Sequence, residues 1–194
     1  MTNKMKNNRL KIWREKYLPK ILDKLSPRIQ RDMSKLIFPK QVDEVESTFI
    51  YGRVGSGKTI KAIYLMLNEA SNCFINRQPH YVKFISVPEL LLEFKNIYNK
   101  TGGEITENEL VEYYSTYPLL VLDDIGVEKI TGWSFQLLYI IINRRYENLM
   151  KTIFTSNFSL SELAEKLGDD RIPSRIQQMC KIVKSKDVDY RARG

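Results

Sequence analysis

The sequence predicts an α/β fold in which helices cover both faces of a parallel sheet. Three observations predict it. Short apolar runs of strand length alternate along the chain with longer segments of helical periodicity. A glycine-rich turn at residues 52–57 joins the first predicted strand to the helix that follows it. Residues 119–122 form a continuously apolar run that ends in two acids, which is typical of a central strand buried on both faces.

The N-terminal part of the chain is predicted to be helical. Residues 6–37 place apolar side chains at helical spacing. Pro19 and Pro27 are typical of helix starts, and Ser26 is placed to cap the second helix. So short a segment cannot bury a large core of its own. We therefore expect it to dock on the main domain or on a partner.

The positive charge of the chain is concentrated in the same region. Residues 1–40 carry a net charge of +9 and the remaining residues −1, which together give the +8 of the whole chain. Concentrated basic charge favours a polyanion such as nucleic acid, or an acidic protein surface, although a solvated helix face explains it equally well. We predict a basic helical extension over residues 1–45 and a second domain over residues 46–194.

The glycine-rich turn matches the phosphate-binding loop pattern G-x-x-x-x-G-K-[ST]. Residues 48–51 before it are β-branched and aromatic, as in a buried strand, and apolar residues follow it at helical spacing. Backbone N–H groups of such a loop cradle phosphates, its lysine reaches the β- and γ-phosphates, and its hydroxyl binds Mg²⁺. The predicted nucleotide-binding residues here are Gly52, Arg53, Val54, Gly55, Ser56, Gly57, Lys58, Thr59 and Ile60.

The middle of the chain continues the alternation of strand and helix. A strand is predicted over residues 81–87, and Pro88 opens a helix that carries an apolar stripe as far as residue 98. Residues 99–108 contain two glycines and are predicted to form a mobile loop. A short helix is then predicted over residues 109–114.

The C-terminal half follows the same rule. Its predicted strands are residues 119–122, 152–155 and 180–183, and its predicted helices are residues 133–149, 159–167 and 171–179.

Polar side chains follow two of these strands. Asp123 is placed to bind Mg²⁺, and Asp124 to polarise a water molecule, although one of the two acids can instead cap the next turn. Asn157 ends the next strand and would face the same crevice, where it could orient water against a γ-phosphate. Ordinary turn chemistry is the alternative for Asn157.

Arginines occur in pairs on two predicted helices. Arg171 and Arg175 lie four residues apart, hence on one helix face, and are either surface charges or donors to a neighbouring subunit's nucleotide. Arg144 and Arg145 are interpreted as partners in structural salt bridges.

Composition excludes several classes of protein. No apolar run reaches the roughly 20 residues that a membrane span requires, and the N-terminus lacks the features of a secretory signal. Cys73, Cys180 and His80 are too few for a zinc site within the chain. The two cysteines are interpreted as buried thiols of a protein in a reducing cytoplasm.

Together these motifs resemble the AAA+ ATPases of the bacterial and phage replicative helicase loader group, and the related IstB-like transposon ATPases. Residues 121–128, with Trp133 after them, resemble the loaders' "LDDIGxE" segment. Residues 155–158 resemble their "TSN" sensor-1 segment, and residues 170–176 their arginine-finger segment. Residues 189–191 resemble the C-terminal ending that carries the sensor-2 arginine.

The resemblance implies a P-loop fold of AAA+ type, with ATP and Mg²⁺ as cofactors. It implies catalytic roles for Asp124, Asn157 and Arg175, with Arg175 acting on a neighbouring copy's nucleotide, and a nucleotide contact from Arg191. It also implies a hexameric helicase and single-stranded DNA as partners, in the bacterial or phage-host cytoplasm. The implied DNA-binding residues are Phe94, Lys95 and Tyr98, although core packing explains Phe94 better.

The chain departs from the AAA+ pattern at its second acid. Most AAA+ enzymes carry Glu where this chain has Asp124, so hydrolysis is expected to be slow or to need a partner. We also expect neither a zinc-bound N-terminal domain nor a full C-terminal helical lid. A transposition helper, a small-molecule kinase and a non-hydrolysing competitor of a host loader or helicase remain alternatives to a helicase loader.

Overall fold

The sheet is parallel throughout the part of the chain that the computed structural model describes, which is residues 3–34, 45–79, 81–99, 105–127 and 131–186. The backbone alone is described at residues 3, 4, 98 and 99. In these ranges the strands are β1 (Thr48–Tyr51), β2 (Val82–Ser86), β3 (Leu119–Asp123), β4 (Lys151–Ser156) and β5 (Lys181–Lys184). They form one sheet in the order β2-β3-β4-β1-β5, and every neighbouring pair is parallel.

Helices cover both faces of this sheet, which confirms the predicted α/β fold. None of the described helices is both long and apolar enough to cross a membrane. Their bounds are α1 (Asn3–Lys16), α2 (Leu18–Leu22), α3 (Pro27–Ser34), α4 (Lys58–Ile75), α5 (Val87–Asn99), α6 (Glu107–Thr116), α7 (Gly132–Glu147), α8 (Leu160–Leu167) and α9 (Arg171–Met179).

Strand β3, an interior strand of the sheet, shows how the two faces are built. Side chains alternate along a strand, so neighbouring residues enter opposite layers. Leu119 and Val121 join the core that contains α4 and the N-terminal helices. Leu120 and Leu122 join the other core, which contains α5–α9. A strand with two buried faces must be apolar at every position, which explains the unbroken apolar run in the sequence.

Among the described helices, α6, α7 and α8 begin at reciprocal capping boxes, which fix the residue at which each preceding loop ends. Thr106 and Glu109 cap α6, Thr131 and Ser134 cap α7, and Ser159 and Glu162 cap α8. In each pair the first side chain accepts the backbone N–H at the third helical position, and the later side chain bonds back to the first residue's N–H. The helix predicted to start at Trp133 therefore begins one residue earlier, at Gly132.

The N-terminal helices dock on the main domain. Trp13, Ile29 and Met33 are buried in the same core as α4. Arg9 reaches the far end of α4, where its guanidinium donates to the Phe74 carbonyl over 2.6 Å and lies 4.7 Å from the centre of the Phe74 ring. The predicted helical stretch is divided into α1, α2 and α3, with Pro27 at the first position of α3. Residues 35–44, which join it to β1, lie outside the described ranges.

The two cysteines are free thiols, but each is half-buried rather than fully buried. Partial burial raises the pKa of both thiols, that of Cys180 to about 12. Both therefore remain protonated at neutral pH, which is typical of unreactive cysteines.

Arg145 corrects one expectation from the sequence. It is fully buried, and its guanidinium donates to four backbone carbonyls and to the Thr152 hydroxyl rather than to a carboxylate. The carbonyls belong to the end of α6, to the loop between α6 and β3, and to the start of β4, so Arg145 joins α7 to these segments. Burial lowers its pKa to about 9. Arg144 does form the expected surface ion pair, with Glu112 at 3.2 Å.

Replacing Arg145 with Ala is expected to destabilise the protein by about 3–5 kcal/mol, because several buried carbonyls lose their donor at once. The neighbouring Arg144→Ala should cost at most about 1 kcal/mol, since its ion pair is exposed. Urea unfolding of the two variants measures the difference. Equal losses would show that the buried contacts of Arg145 do not stabilise the fold.

Candidate nucleotide site

A cleft of about 1330 Å³ lies at the carboxyl ends of the strands, where parallel α/β sheets bind ligands. The cleft is lined by the phosphate-loop pattern, by the two acids at the end of β3 and by Asn157 after β4. Leu25 and helix α3 of the N-terminal segment also line the cleft, with α3 contributing Arg28 and Ile29 among others. The sequence motifs are thus brought together by the order of the strands.

The loop ends where α4 begins. Gly57 is the residue before the first turn of α4, and its φ of 80° lies in the left-handed region, where a side chain would be strained. The first N–H groups of a helix have no partner within that helix and attract anions. The loop therefore directs the start of α4 into the cleft, as a phosphate site requires.

Lys58 is buried beside this helix start. Its ammonium group donates to the Gly52 carbonyl at 3.0 Å, to the Arg53 carbonyl at 2.9 Å and to the Asn157 side-chain oxygen at 2.9 Å. The contact with Asn157 joins the end of β4 to the loop after β1. Lys58 and Asn157, which lie 99 residues apart in sequence, thus meet in one site.

Ser185, directly after β5, supports the phosphate-binding loop, and sequence reasoning did not predict this contact. Its N–H donates to the Tyr51 carbonyl at 2.7 Å, and its hydroxyl donates to the Ser56 carbonyl at 2.8 Å. No sequence pattern identified it, because the contact depends on β5 lying beside β1 in the sheet.

Asp123 and Thr59 form an oxygen-rich pair suited to Mg²⁺. The Thr59 hydroxyl donates to one Asp123 carboxylate oxygen at 3.1 Å, and the Thr155 hydroxyl donates to the other at 2.6 Å. Mg²⁺ takes one or two protein oxygens and completes its shell with water and phosphate, so this donor set fits it. Among the described residues, no group of three or more His, Cys, Asp and Glu side chains offers a richer metal site.

The electrostatic environment of Asp123 also favours a cation. Burial, and to a lesser extent the nearby Asp124 charge, raise the pKa of this carboxyl to about 6 against the lowering effect of the Thr155 and Thr59 hydroxyls and Lys58. A buried carboxylate that lacks a full counter-charge is costly, and a bound divalent ion removes that cost.

Asp124 has an unusual backbone conformation. Its φ of 59° lies in the left-handed region, which Asp and Asn tolerate better than most other residues. Its N–H donates to the Thr155 hydroxyl at 2.9 Å, and Asp124 is one of the residues that line the cleft. Gly126, two residues later, has a φ of 88° and no room for a side chain, since a Cβ would lie 2.6 Å from Leu163. The acid segment is therefore a tight, packed turn.

Arg175 lies on α9, away from the residues that line the described part of this cleft. Its Nε donates to the Asn143 side chain at 2.8 Å, and its guanidinium lies 4.9 Å from the centre of the Tyr146 ring. The preceding Arg171 is exposed, pairs with Asp169 at 2.8 Å and stacks near Tyr139. Both arginines are thus held in place on one outer face of the domain.

Comparison with known proteins identifies the family. The chain matches the family described as IstB-like ATP binding protein over residues 10–194. It belongs to that family. The IstB-like chain is also 32% identical over 116 residues to the replicative helicase loader DnaI of Bacillus subtilis (strain 168), a match that covers 59% of this chain and 34% of DnaI.

Further relatives agree with this assignment. The replicative helicase loader DnaC of Buchnera aphidicola subsp. Schizaphis graminum (strain Sg) is 26% identical over 137 residues, covering 68% of this chain and 51% of DnaC. The IstB-like chain therefore spans about a third to a half of these curated relatives. A crystal structure of the DnaC helicase loader matches 85% of this chain and 96% of its own, with 25% identity and a TM-score of 0.58.

The AAA+ fold is supported by a third kind of relative. The AMPPCP-bound structure of DnaA from Aquifex aeolicus matches 84% of this chain and 46% of its own, with a TM-score of 0.58. At 22% identity this likeness shows the fold alone.

Helix α5 of the IstB-like protein corrects one predicted DNA contact. Phe94 is fully buried and packs against the Tyr114 ring, so it cannot stack on a base. It shares the apolar stripe of α5 with Leu90 and Leu91, and this stripe faces the core. Lys95 is exposed. The Tyr98 side chain and Arg191 lie outside the described part of the structure.

Replacing Asp123 with Asn is expected to stabilise the protein at pH 7.5 without Mg²⁺. The folded-state pKa of about 6 exceeds the ordinary 3.8, so the folded protein holds this proton more tightly than the unfolded chain does. The wild type therefore loses stability as pH rises between these values, and Asn avoids a loss of at most about 3 kcal/mol. Melting temperatures of both proteins between pH 4 and pH 8 measure it.

The gain from Asn should vanish near pH 4, where the wild-type carboxyl is itself protonated. A difference between the two proteins that stays constant over the whole pH range would contradict this assignment of the pKa.

Proposed function

We propose that this protein is an ATPase that helps to load a ring-shaped replicative helicase onto single-stranded DNA. The observation that carries the proposal is the meeting of Lys58, Thr59, Asp123, Asp124 and Asn157 at one cleft, in a chain related to DnaI and DnaC. The first four supply the parts that ATP hydrolysis needs. The relatives supply the biological setting.

The proposed chemistry assigns one role to each residue. The loop N–H groups and the start of α4 bind the phosphates, and Lys58 exchanges its present contacts for the β- and γ-phosphates. Thr59 and Asp123 hold Mg²⁺, which supplies charge neutralisation at the phosphates. Asp124 accepts a proton from the attacking water, and Asn157 orients that water.

We propose that Arg175 completes the site of a neighbouring copy. An arginine supplied in trans stabilises the charge that develops during phosphoryl transfer. Arg175 fits this role because it is only partly exposed, is oriented by Asn143 and Tyr146, and lies away from its own chain's cleft. Self-association through the ATP site follows from this proposal.

Two further contacts complete the proposal. The basic N-terminal helices pack on α4 through their apolar side and expose Lys11, Lys16 and Lys20 among other basic residues, which suits an acidic surface of the hexameric helicase or DNA. Lys95 is exposed on α5 and is proposed to contact single-stranded DNA. The site of action would be the cytoplasm, where the helicase works.

A second candidate function is transposition. The family description favours an IstB-like helper ATPase, whose partners would be a transposase and duplex DNA. The residues at the cleft suit both functions equally. Tight binding to a transposase encoded beside the gene, without affinity for a helicase, would favour the helper. ATP binding without turnover, in the presence of helicase and DNA, would instead favour a competitor of a host loader.

Copurification with the cognate hexameric helicase, with and without ATP, tests the leading proposal. We expect a complex that depends on ATP, and DNA-stimulated hydrolysis within it. Lys58→Ala is the control, and it should weaken ATP binding by roughly 10–100-fold because charge-assisted contacts to the phosphates are lost. The loader proposal fails if the wild-type protein neither binds ATP nor retains the helicase.

Mixing two inactive variants tests the shared site. Arg175→Ala should bind ATP normally but lose hydrolysis by about 10³-fold or more in assemblies. Mixed with Lys58→Ala protein, which still carries Arg175, it should regain part of the ATPase rate. Arg171→Ala is the matched control on the same helix face and should retain most activity. Full activity of Arg175→Ala in an active assembly would contradict the trans role.

A further inference from the structure

Thr155 contacts both acids of the site, yet within the segment that resembles sensor 1 only Asn157 is assigned a role from sequence. It lies in β4 beside β3 and is fully buried. Its hydroxyl donates to Asp123 at 2.6 Å and accepts the Asp124 N–H at 2.9 Å. Its carbonyl accepts the Ile125 N–H at 2.9 Å. One residue of β4 therefore holds three consecutive residues, from the last residue of β3 to Ile125.

These contacts restrain two features that hydrolysis would need. The bond to Asp123 occupies one carboxylate oxygen and leaves the other toward the Thr59 hydroxyl, 3.1 Å away. The bonds to the Asp124 and Ile125 N–H groups hold the backbone on either side of Asp124, whose left-handed conformation is strained for a residue with a side chain. A β-branched side chain in a strand has few rotamers, so the hydroxyl is itself well fixed.

The neighbouring Ser156 shows that this arrangement is specific to Thr155. Ser156 is equally buried, but its hydroxyl donates to the Ile125 carbonyl and accepts the Phe158 N–H. Among the described residues its hydroxyl therefore bonds main-chain groups alone, and it forms no hydrogen bond with either acid. The two adjacent hydroxyls can be removed separately, with different expected consequences.

We infer that Thr155 is a positioning residue that couples the metal-binding carboxylate of Asp123 to the backbone of Asp124. This inference rests on the proposed ATPase function. Thr155 would not touch the nucleotide. Its hydroxyl would present Asp123 to the metal and hold Asp124 in the one backbone conformation that directs it into the cleft. Outer contacts of this kind typically change metal affinity or activity by about 10–100-fold when removed.

The test compares Thr155→Val, Thr155→Ser and Ser156→Ala in the full chain. Mn²⁺ replaces Mg²⁺ so that its binding to the protein–ATP complex can be followed by electron paramagnetic resonance. ATP affinity in EDTA is measured alongside. Val keeps the shape and removes the hydroxyl, whereas Ser keeps the hydroxyl. Ser156→Ala controls for loss of a buried hydroxyl nearby.

We expect Thr155→Val to weaken Mn²⁺ binding by about 10–100-fold and to lower kcat similarly, with ATP affinity in EDTA changed less than about threefold. Thr155→Ser and Ser156→Ala should bind Mn²⁺ within about threefold of the wild type. Wild-type Mn²⁺ affinity in Thr155→Val would overturn the inference. So would equal losses in the Val and Ser variants, because the hydroxyl would then not matter.

Thr155→Cys replaces the Val variant if that variant does not fold. Its thiol donates weakly, so Mn²⁺ binding should again weaken, and wild-type affinity would overturn the inference. Failure of the proposed function looks different. In that case wild-type protein itself would bind no Mn²⁺ with ATP, and no variant would be needed to see it.

Discussion

The buried carboxylate of Asp123 is the constraint on which the site depends. It lies between the hydroxyls of Thr59 and Thr155, which belong to α4 and β4. Two hydroxyl donors do not replace the water that a carboxylate loses on burial, and its pKa is accordingly raised to about 6. A cation bound to this carboxylate would remove the cost of burying its charge, so the arrangement favours cation binding. It is possible only because β3 lies beside β4 and α4 packs over β3.

The sequence predicts secondary structure correctly wherever a local pattern is compatible with a single local structure. Both faces of β3 are buried, so its sequence must be an unbroken apolar run. The residue before α4 has a left-handed backbone conformation, which favours glycine at position 57. Strands and helices were therefore found to within a few residues. Helix ends moved where capping residues decide them, as at Thr131 before α7. The acids and Asn157 were identified because they directly follow such strands.

The features that sequence missed are contacts between distant segments. Arg145 is interpreted from sequence as a salt-bridge partner, like Arg144, yet α7 turns it inward, where it binds carbonyls at the end of α6 and the start of β4. For Phe94 the resemblance implies a DNA contact, whereas its place in the apolar stripe of α5 favours core packing, and the structure buries it in the core. Ser185 and helix α3 reach the cleft through the order of strands and the docking of the N-terminal helices, which no local pattern encodes.

Thermal unfolding with and without Mg·ATP is the most direct test of whether this cleft binds ATP together with a metal ion at Asp123. A ligand at about 100 times its Kd stabilises a protein by roughly 2.7 kcal/mol, which is about 5–10 °C for a chain of this length. We predict a rise of that size with Mg·ATP and a smaller one with ATP in EDTA. An unchanged melting temperature in saturating Mg·ATP, for protein that is folded, would contradict the assignment of the site.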